Sequence, residues 1–107
     1  MPKALFTFAL KPGVTVDAYE TWLETRDRPL VRGMMVPDGP IVSQTVFRTA
    51  GAVFMSNTSY SYVEIIEFTE KAAYLETLST HLNAATIVTE LAQYAQVVDN
   101  VFIDPVF

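Results

Sequence analysis

The stretch YSYVEIIEF, residues 60–68, has the clearest strand pattern in the sequence. Successive side chains of a β-strand point to opposite faces of the sheet, so every second residue of this stretch shares a face: Tyr60, Tyr62, Glu64, Ile66 and Phe68. Aromatic and β-branched residues favour strands. The stretch therefore predicts a strand that sets one carboxylate among apolar and aromatic side chains.

Three other segments also predict strands. Residues 4–10 are rich in aromatic residues, show no helical periodicity and end at the turn sequence KPG. Residues 41–48 are β-branched and alternate, and residues 97–103 predict a closing strand that the following Asp-Pro pair ends. With residues 60–68 they give four strands.

Two helices are predicted between these strands. The first begins after Thr15, a residue type that caps helices, and loosens near Arg28, because Pro29 disfavours the helical conformation at the residue before it. The second begins after Thr69 and breaks between residues 81 and 84, where the phase of its apolar stripe changes. The stripe consists first of Ala72, Leu75, Leu78 and Leu82, and then of Ile87, Leu91 and Tyr94.

The order βαββαβ predicts a ferredoxin-like α+β fold, in which two helices cover one face of a four-stranded antiparallel sheet. We treat residues 1–107 as one domain. The other face of the sheet is left bare, although 50% of the residues are apolar and only 18% are charged. Because exposing such a face is costly, the sequence predicts a homodimer in which a second copy covers it.

The connection over residues 49–59 is too long for a tight hairpin. It is also unusually apolar for a solvated loop, at Ala52, Val53, Phe54 and Met55. We expect these four residues to cover a pocket mouth or the boundary between two subunits.

The composition argues against several classes of function. A net charge of −5 with scattered basic residues disfavours nucleic acid as a partner. A single histidine, no cysteine and no glycine-rich phosphate loop predict neither a metal nor a cofactor. The start of the sequence lacks a signal-peptide pattern, and its apolar runs are too short to cross a bilayer. We therefore expect a cytoplasmic protein with no membrane partner.

Several local sequences together resemble the dimeric α/β-barrel superfamily, in which two ferredoxin-like subunits pack their sheets into a closed barrel. They are LKPGVTVDAY at the first helix, PLVR after it, YSYVEIIEF and AQVVDNVFI. Within the superfamily, YETWLETRDRPLVR combined with SYSYVEIIE is most similar to the REDY-like or HapK group. That resemblance implies a small protein of a secondary-metabolite pathway of the prodigiosin type.

Asp27 is the first candidate for acid–base catalysis. EthD-type members of the superfamily often have a histidine two residues before the corresponding proline, where this chain has Asp27 before Pro29. The difference gives no ground for carrying over the histidine-based chemistry of those relatives to this position, but a carboxylate at the end of a helix can still act as a base or orient a ligand. The alternative is that Asp27 only pairs with Arg26, Arg28 or Arg32.

Glu64 and His81 are the other two candidates. If its strand face is covered, Glu64 is partly desolvated, which raises a carboxylate pKa toward the range useful for proton transfer. Alternatively, Glu64 is satisfied by Arg48 or by a tyrosine hydroxyl. His81 lies at the predicted helix break, which lines the pocket in some superfamily members, although a lone histidine is more often structural or exposed.

The resemblance favours a small aromatic molecule as the partner, bound in a flat pocket. Aromatic side chains at helical or strand spacing belong to the core more often than to a pocket, so this assignment rests on the resemblance. The residues assigned to substrate binding are Trp22, Tyr19, Arg32, Arg48, Tyr60 and Tyr62.

Two functions remain open from the sequence. The first is a cofactor-independent enzyme that uses Asp27, His81 or Glu64 to move protons on a reactive aromatic or pyrrole-like intermediate. The second is a non-catalytic binding or carrier protein that shields such an intermediate in the same pocket.

Overall fold

The computed structural model describes residues 1–51 and 59–107. The elements in chain order are β1 (Lys3–Leu10), α1 (Val16–Trp22), a π-helical turn (Leu23–Asp27), α2 (Arg28–Arg32), β2 (Ile41–Arg48), β3 (Tyr62–Phe68), α3 (Lys71–Thr80), α4 (Leu82–Leu91) and β4 (Ala95–Ile103).

The four strands form one antiparallel sheet in the order β2-β3-β1-β4. This order and the βαββαβ sequence of elements confirm the predicted ferredoxin-like α+β fold. The bounds of β2 are those predicted, whereas β1 and β4 begin one and two residues earlier than expected. Strand β3 begins at Tyr62, which leaves Tyr60 outside the strand.

The helices cover the sheet face that carries the alternate residues of β3 from Tyr62 to Phe68. Two groups of buried side chains fill this layer. One surrounds Phe68 and Tyr74, whose rings stack with centroids 4.5 Å apart. The other surrounds Tyr19 and Tyr62, whose rings meet edge to face at 4.8 Å. Aromatic packing of this kind is a large part of what holds the helices on the sheet.

The first helical segment differs from the prediction at Pro29. The hydroxyl of Thr15 accepts the backbone N–H of Ala18 at 3.1 Å, as expected for an N-cap. The helix loosens before Arg28, through the π-helical turn, and regular helix then continues through Pro29 to Arg32. Because proline has no N–H, the helix lacks a backbone hydrogen bond from Pro29 in any case. The turn before Pro29 can therefore widen without losing that hydrogen bond.

The second helical segment breaks where the sequence predicts. His81 has extended backbone angles (φ −79°, ψ 132°) and separates α3 from α4. The expected N-cap at Thr69 is wrong, because Glu70 holds that position and α3 begins at Lys71. The stripe does not face the core as a whole either: Leu82 is 77% exposed, and Tyr74 is the buried side chain of α3.

The opposite face of the sheet is covered by none of the described helices, and it is apolar along the central strands. The strand register aligns Leu5 of β1 with Ile65 of β3 and with Val101 of β4 on this face. Val101 and Phe47 of β2 are each 51% exposed. We call this surface the open face.

Ala52, Val53, Phe54 and Met55 of the predicted covering loop lie outside the described residues. Within the ranges described, no helix is both long and apolar enough to cross a membrane.

Candidate active site

The side-chain amide of Gln44 joins two carboxylates on the helix-covered side of the sheet. Its Nε2 atom donates one hydrogen bond to Oδ2 of Asp27 and another to Oε2 of Glu64, each at 2.7 Å. An amide nitrogen has two hydrogens, so both bonds can form at once. We call Asp27, Gln44 and Glu64 the carboxylate triad.

The strand register brings two members of this triad together. In β2, Gln44 pairs with Ile66 of β3, and Val46 pairs with Glu64. Gln44 and Glu64 therefore lie diagonally on the same face, at a spacing that long side chains can bridge.

The π-helical turn brings the third member. The backbone N–H of Arg28 donates to the carbonyl oxygen of Leu23, five residues back, instead of four as in an α-helix. The wider turn accommodates one extra residue, and Asp27 at its end is only 4% exposed. The π-helical turn two residues before Pro29 thus directs the polar side chain of Asp27 toward the core.

Burial raises the pKa of both carboxyl groups. For Asp27, burial is the larger influence, and the hydrogen bond from Gln44 opposes it. For Glu64, burial together with the nearby negative charge of Asp27 raises the pKa to about 7, again opposed by Gln44. Removing water from a carboxylate, or placing a second one beside it, favours the protonated form. Glu64 can therefore gain or lose a proton near neutral pH.

Two tyrosines near the triad keep their protons. Burial, and then the charge of Glu64, raises the pKa of Tyr19 and of Tyr74 above the usual tyrosine range. Their hydroxyl groups are therefore available as hydrogen-bond donors at any ordinary pH.

A cavity of about 280 Å³ lies between the helices and the sheet, and Asp27 and Glu64 form part of its wall. We call it the inner cavity. Its volume is near the lower end of the roughly 300–1,000 Å³ of typical ligand pockets. Apolar and aromatic side chains make up most of the remaining wall, among them Phe6, Phe8, Ile66, Tyr74, Ile87 and Leu91.

A second and more polar cavity, of about 470 Å³, lies on the other side of Asp27 and Gln44, along β2. We call it the outer cleft. Arg48 pairs there with Glu20 at 3.3 Å, and the same Glu20 carboxylate accepts a hydrogen bond from the Tyr62 hydroxyl at 2.7 Å. Asp27 thus lines both the apolar inner cavity and the polar outer cleft.

The structure contradicts both structural alternatives weighed for the carboxylates. Among the described residues Asp27 pairs with none of the three arginines: Arg26 pairs with Glu90, Arg28 pairs with Glu24 at 3.0 Å, and Arg32 is exposed at the end of α2. Glu64 is satisfied neither by Arg48 nor by a tyrosine hydroxyl. Its partner, like that of Asp27, is Gln44.

The remaining predicted catalytic residue lies apart from the triad. His81 separates α3 from α4, and its Nδ1 atom accepts the backbone N–H of Asn83 at 3.0 Å as the N-cap of α4. Among the described residues that line the inner cavity and the outer cleft, His81 is absent. A catalytic role for it stays a prediction.

The predicted substrate-binding residues divide into three groups. Arg48 and Tyr62 line the outer cleft. Tyr19 and Trp22 are buried beside the triad, and the indole N–H of Trp22 donates to Glu90 at 3.0 Å. The other two line neither cavity: Arg32 is exposed at the end of α2, and Tyr60 is partly buried just before β3.

Gln44 is the member of the site that sequence reasoning missed. It is a polar residue in an alternating strand, so its face could be read from the pattern. The sequence could not show that Gln44 contacts Glu64, because the long connection between β2 and β3 leaves the register between the two strands open.

The described part of the chain contains no group of three or more His, Asp or Glu side chains placed to hold a metal ion. The triad itself offers two carboxylates and one amide nitrogen that already donates to both. The chemistry that these groups can perform by themselves is proton transfer and hydrogen bonding to a ligand.

Fold and site together define a ferredoxin-like α+β protein with a pair of carboxylates in the wall of an apolar cavity. The sequence matches the family of the REDY-like protein HapK over residues 2–106, and the chain belongs to that family. No curated protein matches it.

Three solved structures share the fold. HapK from Hahella chejuensis is 24% identical, with a TM-score of 0.79 over 99% of this chain and 93% of that one. The protein At3g17210 from Arabidopsis thaliana is 16% identical, with a TM-score of 0.80 over 100% and 97%. An ethyl tert-butyl ether d (EthD) family protein from Bacillus halodurans is 12% identical, with a TM-score of 0.70 over 98% and 99%.

Proposed function

We propose that the protein is a cofactor-independent enzyme of secondary metabolism that moves protons on a small aromatic or pyrrole-like intermediate bound in the inner cavity. Glu64 is the proton donor and acceptor, Asp27 is the neighbouring negative charge, and Gln44 positions both. The observation that carries this proposal is the Gln44 amide held between two carboxylates at the wall of an apolar cavity.

The reaction needs no additional reagent. Protonated Glu64 gives its proton to an electron-rich ring carbon, which leaves the ring positively charged and Glu64 ionised. Ionised Asp27, across the Gln44 amide, stabilises this cation. Glu64 then removes the proton that the carbon carried originally, so the net result is proton exchange or, where a different carbon is deprotonated, isomerisation.

The pKa of Glu64, raised to about 7, suits this role, because a general acid is most effective when its pKa lies near the working pH. The protonated form predominates below that pKa. We therefore expect the rate of proton transfer to fall as the pH rises above about 7.

The test uses 2,2′-bipyrrole in D₂O, with loss of its ring C–H signals followed by proton NMR. The protein is expected to accelerate exchange, and Glu64→Gln is expected to reduce that acceleration by about 100-fold or more. The control is Glu76→Gln, a carboxylate on the exposed side of α3, which is expected to exchange as fast as the unaltered protein. Equal rates for Glu64→Gln and the unaltered protein would refute the proposal.

A carrier function is the second candidate, and the largely apolar wall of the inner cavity favours it. A carrier would shield the intermediate by burying it, without transferring a proton. The same experiment separates the two, because a carrier would bind 2,2′-bipyrrole and shift protein resonances around the cavity without accelerating exchange.

We also propose that a second copy of the chain covers the open face, which gives the homodimer and the closed barrel that the sequence predicts. The support is the apolar character of Leu5, Ile65 and Val101 at its centre, with half of the Val101 surface exposed in one chain. Obligate interfaces are commonly more apolar than the rest of a protein surface.

A further inference from the structure

The ionisable side chains in the wall of the inner cavity are all acidic. Its two ionisable carboxyl groups are Asp27 and Glu64, and among the described residues that line it none is Lys, Arg or His. A carboxylate or phosphate on a ligand would enter an apolar space beside like charge with no cation to pair with. Such an arrangement costs free energy both by desolvation and by repulsion.

The same carboxylates still have hydrogen-bond capacity. Gln44 binds Oδ2 of Asp27 and Oε2 of Glu64, whereas Oδ1 and Oε1 accept no hydrogen bond from the described residues. An ionised carboxylate is an acceptor only, with several lone-pair positions on its two oxygens. A ligand that satisfies these oxygens has to bring N–H or O–H donors.

The aromatic wall of the cavity favours the same kind of ligand independently. The rings of Phe6 and Phe8 lie nearly parallel, 10° apart, on the sheet side, and Tyr74 lines the cavity from α3. The face of an aromatic ring attracts a cation, and the attraction is stronger in a site that excludes water. Flat rings also stack on such side chains.

We propose that the inner cavity selects a flat molecule of one or two rings whose N–H groups carry a positive charge, such as a protonated nitrogen heterocycle or an amidine, and that it rejects carboxylates and phosphates. This inference rests on the proposed function in taking the inner cavity as the ligand site. It goes further by naming the charge and the donor groups of the favoured ligand, which are those of the ring cation that proton transfer from Glu64 would produce.

The experiment compares three probes of nearly equal shape: benzamidinium, benzamide and benzoate. They have the same ring and carry a cationic, a neutral and an anionic group, respectively. Binding to the full chain is measured by protein NMR at about pH 8, above the pKa of about 7 of Glu64. We expect benzamidinium to bind most tightly and benzoate at least about tenfold more weakly, as charge-assisted hydrogen bonds to a carboxylate would give.

Two variants assign the preference to the carboxylates. Asp27→Asn and Glu64→Gln keep the shape of each side chain, and each is expected to reduce the ratio of benzamidinium to benzoate affinity. Glu76→Gln is expected to leave that ratio unchanged, since its side chain is exposed on α3. If one of the two triad variants fails to fold, the other and the ratio in the unaltered protein still decide the question.

The outcomes distinguish this inference from the enzyme proposal. Benzoate binding as tightly as benzamidinium would overturn the ligand class, even if 2,2′-bipyrrole exchange is fast. A strong preference for benzamidinium without any exchange would support the ligand class and refute the enzyme. If resonances around the inner cavity respond to none of the three probes, the cavity is not the ligand site and the inference is wrong.

Discussion

The two faces of the sheet depart in opposite ways from the usual distribution of apolar residues in the core and polar residues at the surface. The helix-covered face buries Ile66 and Phe68, as a core does, yet the same layer contains Asp27 and Glu64. Carboxylates are seldom buried unless they are paired, because water stabilises their charge.

The open face shows the opposite departure. Leu5, Ile65 and Val101 align across β1, β3 and β4, and Phe47 of the edge strand β2 is half exposed. A surface of this kind usually marks an interaction site.

The two proposals account for these departures separately. A ligand in the inner cavity would use the polar groups that cost stability in a core, and a second copy would cover the apolar groups that cost stability at a surface. Substitutions on each face should therefore change different properties of the protein.

Ile65→Asp is expected to have the largest effect, because it places a charge at the centre of the open face. The unaltered protein should sediment as one species of about twice 11.9 kDa, and the variant as a monomer. Leu82→Asp is the matched control, since Leu82 is 77% exposed on the helix side and is expected to leave the dimer intact. An unaltered protein that sediments as a monomer at micromolar concentration would contradict the dimer.

Glu64→Gln is expected to change how stability depends on pH. In the folded state burial raises the pKa of Glu64 from 4.5 to about 7, so the folded protein binds the proton more tightly than the unfolded chain does. The contribution of Glu64 to the free energy of unfolding therefore decreases as the pH rises from about 4.5 through 7, by about 3 kcal/mol in total.

Urea unfolding at about pH 5 and about pH 8.5 measures this loss. The Glu64→Gln variant cannot ionise at this position, so its stability should fall less between the two pH values. Glu76→Gln should lose as much as the unaltered protein. An identical loss in Glu64→Gln would mean that Glu64 does not titrate as its burial requires.

Gln44→Leu tests the residue that positions the triad. The hydrogen bond from Gln44 lowers the pKa of both Asp27 and Glu64, so its removal should raise both. Carbon-13 NMR titration of the carboxyl groups measures the two values, and for Glu64 we expect a value above that of the unaltered protein. Thr45→Val, the next residue of β2 on the opposite face, should leave both unchanged.

The sequence was sufficient for the fold because its signals are local. The alternation of β3 and the helix break at His81 each follow from neighbouring residues, and the structure has both. The site depends on longer-range geometry. Gln44 reaches Glu64 only in the register that the folded hairpin adopts, and Asp27 turns inward through a π-helical turn that Pro29 permits but does not specify.

The smallest effect is expected at Glu90, on the rim of the helix-covered layer. Its carboxylate accepts hydrogen bonds from Arg26 and from the indole of Trp22, which lower its pKa to about 2. A carboxyl whose folded pKa lies below its unfolded pKa stabilises the fold above the unfolded value and loses that effect as the pH falls toward the folded one. Glu90→Gln should therefore lower the melting temperature by a few degrees at neutral pH, and by progressively less below about pH 4.5. The effect is small because the pair is exposed to solvent and salt. A difference in melting temperature that stays constant down to about pH 3 would show that the ionisation of Glu90 is not the source of the difference.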